Sequence, residues 1–482
     1  MMSVSIKRAE KAGTIKRSWF NEASRMVSRF CKAITDNRYH GVMGGRVLTG
    51  NSLCSLWLVT MVIILLPASG NAQEQDKTNY VPATYLREAA ENNPALRAQY
   101  RDYLASLEQV PQVGTLPDPE LAFGYFASPI ETRVGPQQAR LGLTQMFPWF
   151  GTLGARSDAA TEAARAKFEA FRELRNKLFY DIYDAWYRLY DIKQSTRITR
   201  EHIDILETFE ALALQRYEND QVSQADVLRV QIEKEDLKTR LALLEDNRAV
   251  ALRQFNELLN RDPDTGVALP DSISPASLEH PVTEIERLML SRNPDISRVE
   301  FEAASARSSI EAARKEGLPR FGIGLDYIIT GERNMVLPDN GKDAMMARGA
   351  VQIPLFRDKY RAMERQAELR LQAVQDRQTA TRNRLQTQFQ EALRDYNDAR
   401  RTIELYQTVQ IQRTEQAIDI LTEAYAAGST DFEELLRLQR KLLDYELSRQ
   451  HAIARQNRAV AFIQYLYGKH NVSRKAVGLH NE

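Results

Sequence analysis

The 482-residue sequence offers little to covalent chemistry and something to a charged solute. It has no Walker loop, no HExxH pair and no GxSxG turn, the spacings that cradle phosphate, hold zinc or expose a nucleophile. Beyond residue 72 the histidines are His202, His280, His451, His470 and His480, and none lies four residues from a second histidine. No enzyme activity, cofactor or metal site is therefore expected. His202, inside a charge-rich stretch, is expected to face solvent. What does recur is a pair of carboxylates in matched settings. Tyr217, Asp226, Leu228 and Gln231 are followed 208 residues later by Tyr425, Glu434, Leu436 and Gln439. An acid in the first turn of a helix offsets the positive end of its dipole. The same charge, gathered in copies, would attract cations. The elements that carry the pair decide what it can do.

Residues 1–72 read as an export segment. Basic residues from Lys7 to Arg46 precede an apolar run, Leu53 to Leu66, then Pro67 and the small residues Ala68, Ser69, Gly70 and Ala72. That run is shorter than the about 20 residues of a membrane helix, and the order fits a signal peptide cut near Ala72. Met43 is an alternative start. Cys31 and Cys54 both lie in this segment, and Cys54 sits at the start of the apolar run rather than after it, so no acylation is expected. The remainder carries 55 basic and 61 acidic residues, a net −6 that argues against nucleic acid. No later stretch is apolar enough for a membrane helix, so the mature chain is either soluble or crosses a membrane as a closed β-barrel.

Two halves repeat. Asn93-Pro94-Ala95-Leu96 returns as Asn293-Pro294-Asp295-Ile296, and Ala139-Arg140 as Ala347-Arg348. A single eight-residue change of spacing, in the Gly-rich region of each half, reconciles all the offsets. Residues 155–262, 355–427 and 429–467 contain neither Gly nor Pro and are expected to be helical. Leu178, Ile182, Ala185, Leu189, Ile192, Thr196, Thr199, Ile203 and Leu206 follow alternating steps of four and three, and Leu237 to Leu258 continue the pattern on a partner helix. Such a seam packs against a neighbouring helix. The expected divisions are a pre-segment 1–72, a first repeat 73–272 with its hairpin over 153–262, a second repeat 273–470 with its hairpin over 356–468, and a tail 471–482.

Four segments break the helical texture, near 119–128, 139–148, 319–330 and 346–355. Leu121, Phe123 and Tyr125, then Leu141 and Leu143, then Phe321, Ile323, Leu325 and Tyr327 alternate with small or polar residues, and Gly349, Val351 and Ile353 give a weaker fourth. This is the signature of strands with one apolar, lipid-facing side. The links Ser128–Gln138 and Thr330–Met346 read as exposed loops, and Phe147, Trp149 and Phe150 as an interfacial girdle. Four strands cannot close a membrane barrel, which starts at about eight. If they cross a membrane they must combine with copies, and three copies would give twelve strands and no open edge.

In this order, the duplicated Tyr, turn, acid, Leu and Gln pattern resembles the hairpin tips of TolC-type outer membrane factors, over about residues 81–470. The resemblance implies a mainly α homotrimer with a small β part: a 12-stranded outer-membrane barrel continuous with a long periplasmic helical barrel. It implies a passive exit duct for small solutes or metal cations, closed at rest by inward-leaning hairpins and engaged by a periplasmic adaptor and an inner-membrane pump of the RND type. The tract Gln145 to Gly151 is similar to the heavy-metal branch of CusC and CzcC. Residue by residue, Tyr217 and Tyr425 match the tip aromatics, Asp226 the tip acid of the first hairpin and Glu434 an acid that narrows the mouth. Thr430 stands where that pattern has a basic residue, and Arg437 where it has an acidic one. Gly428 keeps the turn glycine, replaced by Asn219-Asp220 in the first repeat; with Ala427 and Ser429 these would meet the adaptor. Three copies of Asp226 and Glu434 would favour cations. A type I protein-secretion duct and a periplasmic coiled-coil adaptor are the other readings.

Overall fold

A computed structural model describes residues 81–334 and 338–469. The expected signal peptide with both cysteines, and the tail 471–482, lie outside these residues.

The repeated Asn-Pro motif closes each half on itself. Helix α1 (Ala83–Asn92) meets α2 (Pro94–Gly114) at Asn93, and α5 (Val282–Arg292) meets α6 (Pro294–Glu316) at Asn293. Proline at the first helical position gives up an N–H that would be unpaired anyway. The Asn side chain caps the new helix: Oδ1 of Asn93 accepts from Leu96 N at 3.1 Å, and Oδ1 of Asn293 from Asp295 N at 2.9 Å. The Asn93 amide donates to the Leu258 carbonyl at 3.0 Å and the Asn293 amide to the Leu466 carbonyl at 2.8 Å, each at the end of its own repeat's hairpin.

Strands β1 (Glu120–Thr132), β2 (Gly135–Phe147), β3 (Arg320–Thr330) and β4 (Ala344–Gln352) form one antiparallel sheet in that order. The first expected loop is overturned in part. The β1–β2 link is only Arg133 and Val134, because Thr132 pairs with Gly135 and the strands run on past Ser128 and Gln138. Pro129 is accommodated where the register shifts between Tyr125 and Ile130, a place where no ladder donor is demanded of it. The pairing aligns Leu121, Leu143, Leu325 and Ala347 in one row and Phe123, Leu141, Tyr327 and Met345 in the next. One face is thus apolar, while the other carries Gly142, Gly322, Gly324 and a few charged side chains.

Helices α3 (Thr152–Glu218) and α4 (Gln224–Leu259) make the first hairpin. The second is α7 (Arg357–Leu405), a π-helical turn (Tyr406–Gln410), α8 (Ile411–Ala426) and α9 (Phe432–Leu466). At 1.5 Å per residue the 67 residues of α3 reach about 100 Å from the sheet. Every residue of the α3 seam is buried or half-buried, as are Leu237, Ala251, Phe255 and their partners on α4. α3 lies centrally, against α2, α4, α6 and α9. The inter-repeat segment 260–281 crosses α3 and α9 as a strap. Trp186 Nε1 donates to Ala268 O at 3.2 Å, Gln194 to Asp271 O at 2.9 Å and Gln456 to Ala276 O at 2.7 Å.

The repeat also governs how the hairpin helices stop. Asp220 (φ 54°) and Gly428 (φ 76°) end the outgoing helices, and Asn260 (φ 51°) and Gly468 (φ 73°) the returning ones, each pair 208 residues apart. All four are left-handed, and the following N–H reaches back five residues, as from Gln221 to Arg216 O at 2.9 Å and Ser429 to Ala424 O at 2.9 Å. The first half uses Asp and Asn where the second uses Gly. The chain direction is the same.

Candidate pore mouth and barrel wall

The far ends of the two hairpins lie against each other. Tyr425 is 1% exposed, whereas its counterpart Tyr217 is 41% exposed. Arg216, beside Tyr217, places its guanidinium 4.6 Å from the Tyr425 ring centre, and the ring of Phe432 packs on Tyr425 at 4.8 Å. Burial first, and then the charge of Asp226, pushes the Tyr425 phenol up from its ordinary pKa. Gly428 serves this packing as well as the turn, since a β-carbon there would approach Arg216 Nη2 to 3.1 Å.

The acids at these tips are not free charges. Asp226, 8% exposed in the first turn of α4, pairs with Arg229 at 3.0 Å, and the other arm of Arg229 approaches Glu433 of α9 at 3.6 Å. Glu434 accepts from Arg437 Nε at 3.0 Å one turn along the same helix, which holds its carboxyl below the usual carboxylate range. Arg437 therefore stands as the partner of Glu434. Thr430 is half-buried beside them, and Asn219, Asp220, Ala427, Gly428 and Ser429 are exposed. The tips keep a negative balance all the same: residues 216–231 and 423–437 hold seven acids to three arginines.

His202 does not face solvent. It is 3% exposed between α3 and α9, with Nε2 2.8 Å from Glu446 Oε2 and Nδ1 3.1 Å from the Gln439 amide nitrogen. An amide donating to Nδ1 leaves the ring hydrogen on Nε2, pointing at the carboxylate. The sequence-level expectation missed this because α3 carries many charges; the telling signal was Ile203 and Thr199 beside it in the seam. Gln231, the repeat partner of Gln439, instead donates to Glu210 at 2.8 Å. Arg216, Arg229 and Phe432 were also not singled out: Arg216 and Arg229 meet Tyr425 and Glu433, each about 200 residues away, and Phe432 packs on Tyr425 across the turn.

At the other end, the apolar sheet face is open. Phe123 is 70% and Ile323 66% exposed, and Leu121, Tyr125, Leu141, Leu143, Phe321, Leu325 and Tyr327 are exposed with them. Where strands join helices, Phe150 and Phe356 stand out, each two residues after a proline, and Trp149 packs on Phe321 at 5.7 Å. A greasy, continuous outer face with an aromatic rim, and strands with unpaired edges, needs lipid on one side and copies at both edges.

The sequence model for the outer membrane efflux protein family matches residues 85–261 and 287–468, one stretch in each repeat. The chain belongs to that family. Membership makes it an outer-membrane channel subunit and not an enzyme, with a helical barrel in the periplasm and a trimer closing the β-barrel. Channels of the family work with adaptor and inner-membrane pump partners. No curated protein matches the chain in sequence. Among solved structures, the outer-membrane channel OprN is 19% identical, with a TM-score of 0.68 over 80% of this chain and 89% of that one. CusC, described as a transmembrane channel, is 18% identical, with a TM-score of 0.68 over 80% and 91%. VceC, an outer membrane protein of Vibrio cholerae, is 18% identical, with a TM-score of 0.68 over 80% and 95%. These likenesses share the fold.

Proposed function

We propose that this channel subunit is the passive exit duct of a tripartite efflux system, carrying small solutes delivered by an RND-type pump through a periplasmic adaptor, and that its hairpin tips form the resting gate. The observation that carries the gate reading is the contact between the two tips of one subunit: Arg216 over the buried ring of Tyr425, and Arg229 shared by Asp226 and Glu433. These tie the second hairpin to the first at the end farthest from the sheet. Threefold symmetry would repeat the ties around an axis, and loosening them would let the second hairpins swing outward. The exposed turns at Asn219-Asp220 and Ala427 to Ser429 are where an adaptor would engage. Their matching left-handed geometry supports docking through both hairpins, since the first keeps the bend without a glycine.

The acidic excess at the tips supports cation preference at the mouth, through the summed field rather than through Asp226 and Glu434 acting alone. Metal cations are therefore a solute class to test, alongside the heavy-metal likeness of the Gln145–Gly151 tract. Single-channel recording of the reconstituted trimer is the direct test. Arg216→Ala with Arg229→Ala should raise the conductance several-fold by releasing the tips. A double variant with wild-type conductance would remove these contacts from the gate.

A further inference from the structure

The inner face of the sheet carries a charge arrangement that the duct reading does not use. Opposite the apolar rows, Gly142 of β2 pairs with Asp326 of β3, with Met346 of β4 next in line, and Thr144, Gly324 and Arg348 form the adjacent row. Asp326 is 1% exposed. Arg140 donates to its Oδ2 at 2.7 Å, and the Arg348 Nε lies 3.8 Å from the same oxygen. Arg348 also donates to the Thr144 hydroxyl at 2.7 Å, which fixes its direction. The glycines make the room: a β-carbon at Gly142 would collide with Asp326 Oδ1, which has no partner of its own, and one at Gly324 would press on Thr144.

One buried carboxylate thus stands between two guanidinium groups. Both remain about 40% exposed at their outer sides, so each keeps donors free for something in the lumen. Glu120 and Arg320, nearer the helices on the same face, offset each other, so the wall of each subunit carries a net positive charge. In the trimer these positions form a basic band around the barrel, the sign that favours anions in a pore. Arginine also matches the geometry of a planar or tetrahedral oxyanion.

We infer that Arg140 and Arg348, held by Asp326, form an anion-recognition station on the barrel wall, selecting solutes that carry a carboxylate, phosphate or sulfonate over metal cations at the last stage of export. This rests on the duct reading and adds the solute class to it. The acidic mouth and the basic band then act in series with opposite preference, so a solute bearing both charges would be accepted at each.

The test uses the full-length trimer in planar bilayers, in about 0.1 M KCl, with citrate added to the barrel side. Citrate should reduce the current. Arg140→Gln with Arg348→Gln should raise the half-blocking concentration about fivefold or more, whereas Asp326→Asn, which leaves both guanidinium groups uncompensated, should lower it. Block should fade by 1 M KCl, where the screening length shrinks to about 3 Å. A purely structural role would shift both variants in the same direction, and that result, or equal block in all three proteins, overturns the station. Titration of citrate into the detergent-solubilised trimer gives a second readout with the same expected order; Arg348→Gln alone serves if the double variant does not assemble. A trimer that binds citrate in this order but passes no current would instead overturn the duct reading.

Discussion

Asp226 and Glu434 are each met by an arginine one turn away, so their influence on a passing ion comes through a local balance of charge. Removing both leaves Arg437 without its partner and Arg229 with Glu433 alone, and cuts the tip excess from seven acids against three arginines to five against three. Asp226→Ala with Glu434→Ala should therefore shift the reversal potential in a KCl gradient away from cation preference and raise the conductance; unchanged values for both would place these acids away from the mouth. His451 shows a different dependence. Its Nδ1 lies 2.8 Å from both Asp191 oxygens, and that bond raises its pKa above the ordinary imidazole value. A folded pKa above the unfolded one means the stabilisation is complete below about pH 6.5 and is lost as pH rises through the folded value. His451→Gln should lower thermal stability at about pH 5.5 by less than about 1 kcal/mol, because the side chain is half exposed, and by almost nothing at about pH 9. A pH-independent loss would rule out the ion pair as its cause.

Among the helices, the left-handed stops offer a matched comparison. Asp220→Gly relieves an L-residue held at φ 54° and should raise stability by up to about 1 kcal/mol, whereas Gly428→Ala must adopt φ 76° and crowd Arg216, and should lower it by about 1–2 kcal/mol. Denaturant unfolding of the two variants would show the opposite signs. Asn293→Ala loses a cap and leaves the Leu466 carbonyl without its donor, which should cost about 1–3 kcal/mol. Much of this architecture was legible in the sequence. Three tracts free of Gly and Pro, a seam in steps of three and four, and the doubled Asn-Pro are local signals, and local signals fix helices and their ends. The strand faces were legible for the same reason, through alternation at Phe123, Leu143 and Ile323. Less so was the extent of β1, since Pro129 reads as a break until the register shift that absorbs it is seen. Least legible was the difference between Tyr217 and Tyr425: two residues in equal settings along the chain, one exposed and one buried, because only the second meets the other hairpin.

For the whole molecule, the exposed apolar face sets the terms of assembly. A cation placed in its middle should be costly: Ile323→Arg is expected to add about 2–4 kcal/mol to insertion and to reduce the yield of detergent-stable trimer in outer-membrane fractions, while Asp326, on the opposite face, answers to the lumen. Wild-type trimer yield from Ile323→Arg would mean that this face does not meet lipid. The π-helical turn at Tyr406–Gln410 has a consequence of another kind. The first hairpin's outgoing helix runs unbroken from Thr152 to Glu218, but its counterpart takes in a wider turn part-way down. One residue corresponds to about 100° of azimuth around a helix axis, so the wider turn resets the angular phase of everything beyond it. Ile411, Ile418 and Tyr425 point inward because of that reset. Deleting a single residue between 406 and 410 would let an ordinary α-turn replace the wider one, which holds one residue more, and so leave Tyr425 and Gly428 under Arg216, whereas a deletion within Ile411–Ala426, where no extra residue is stored, would turn the tip to face the wrong way.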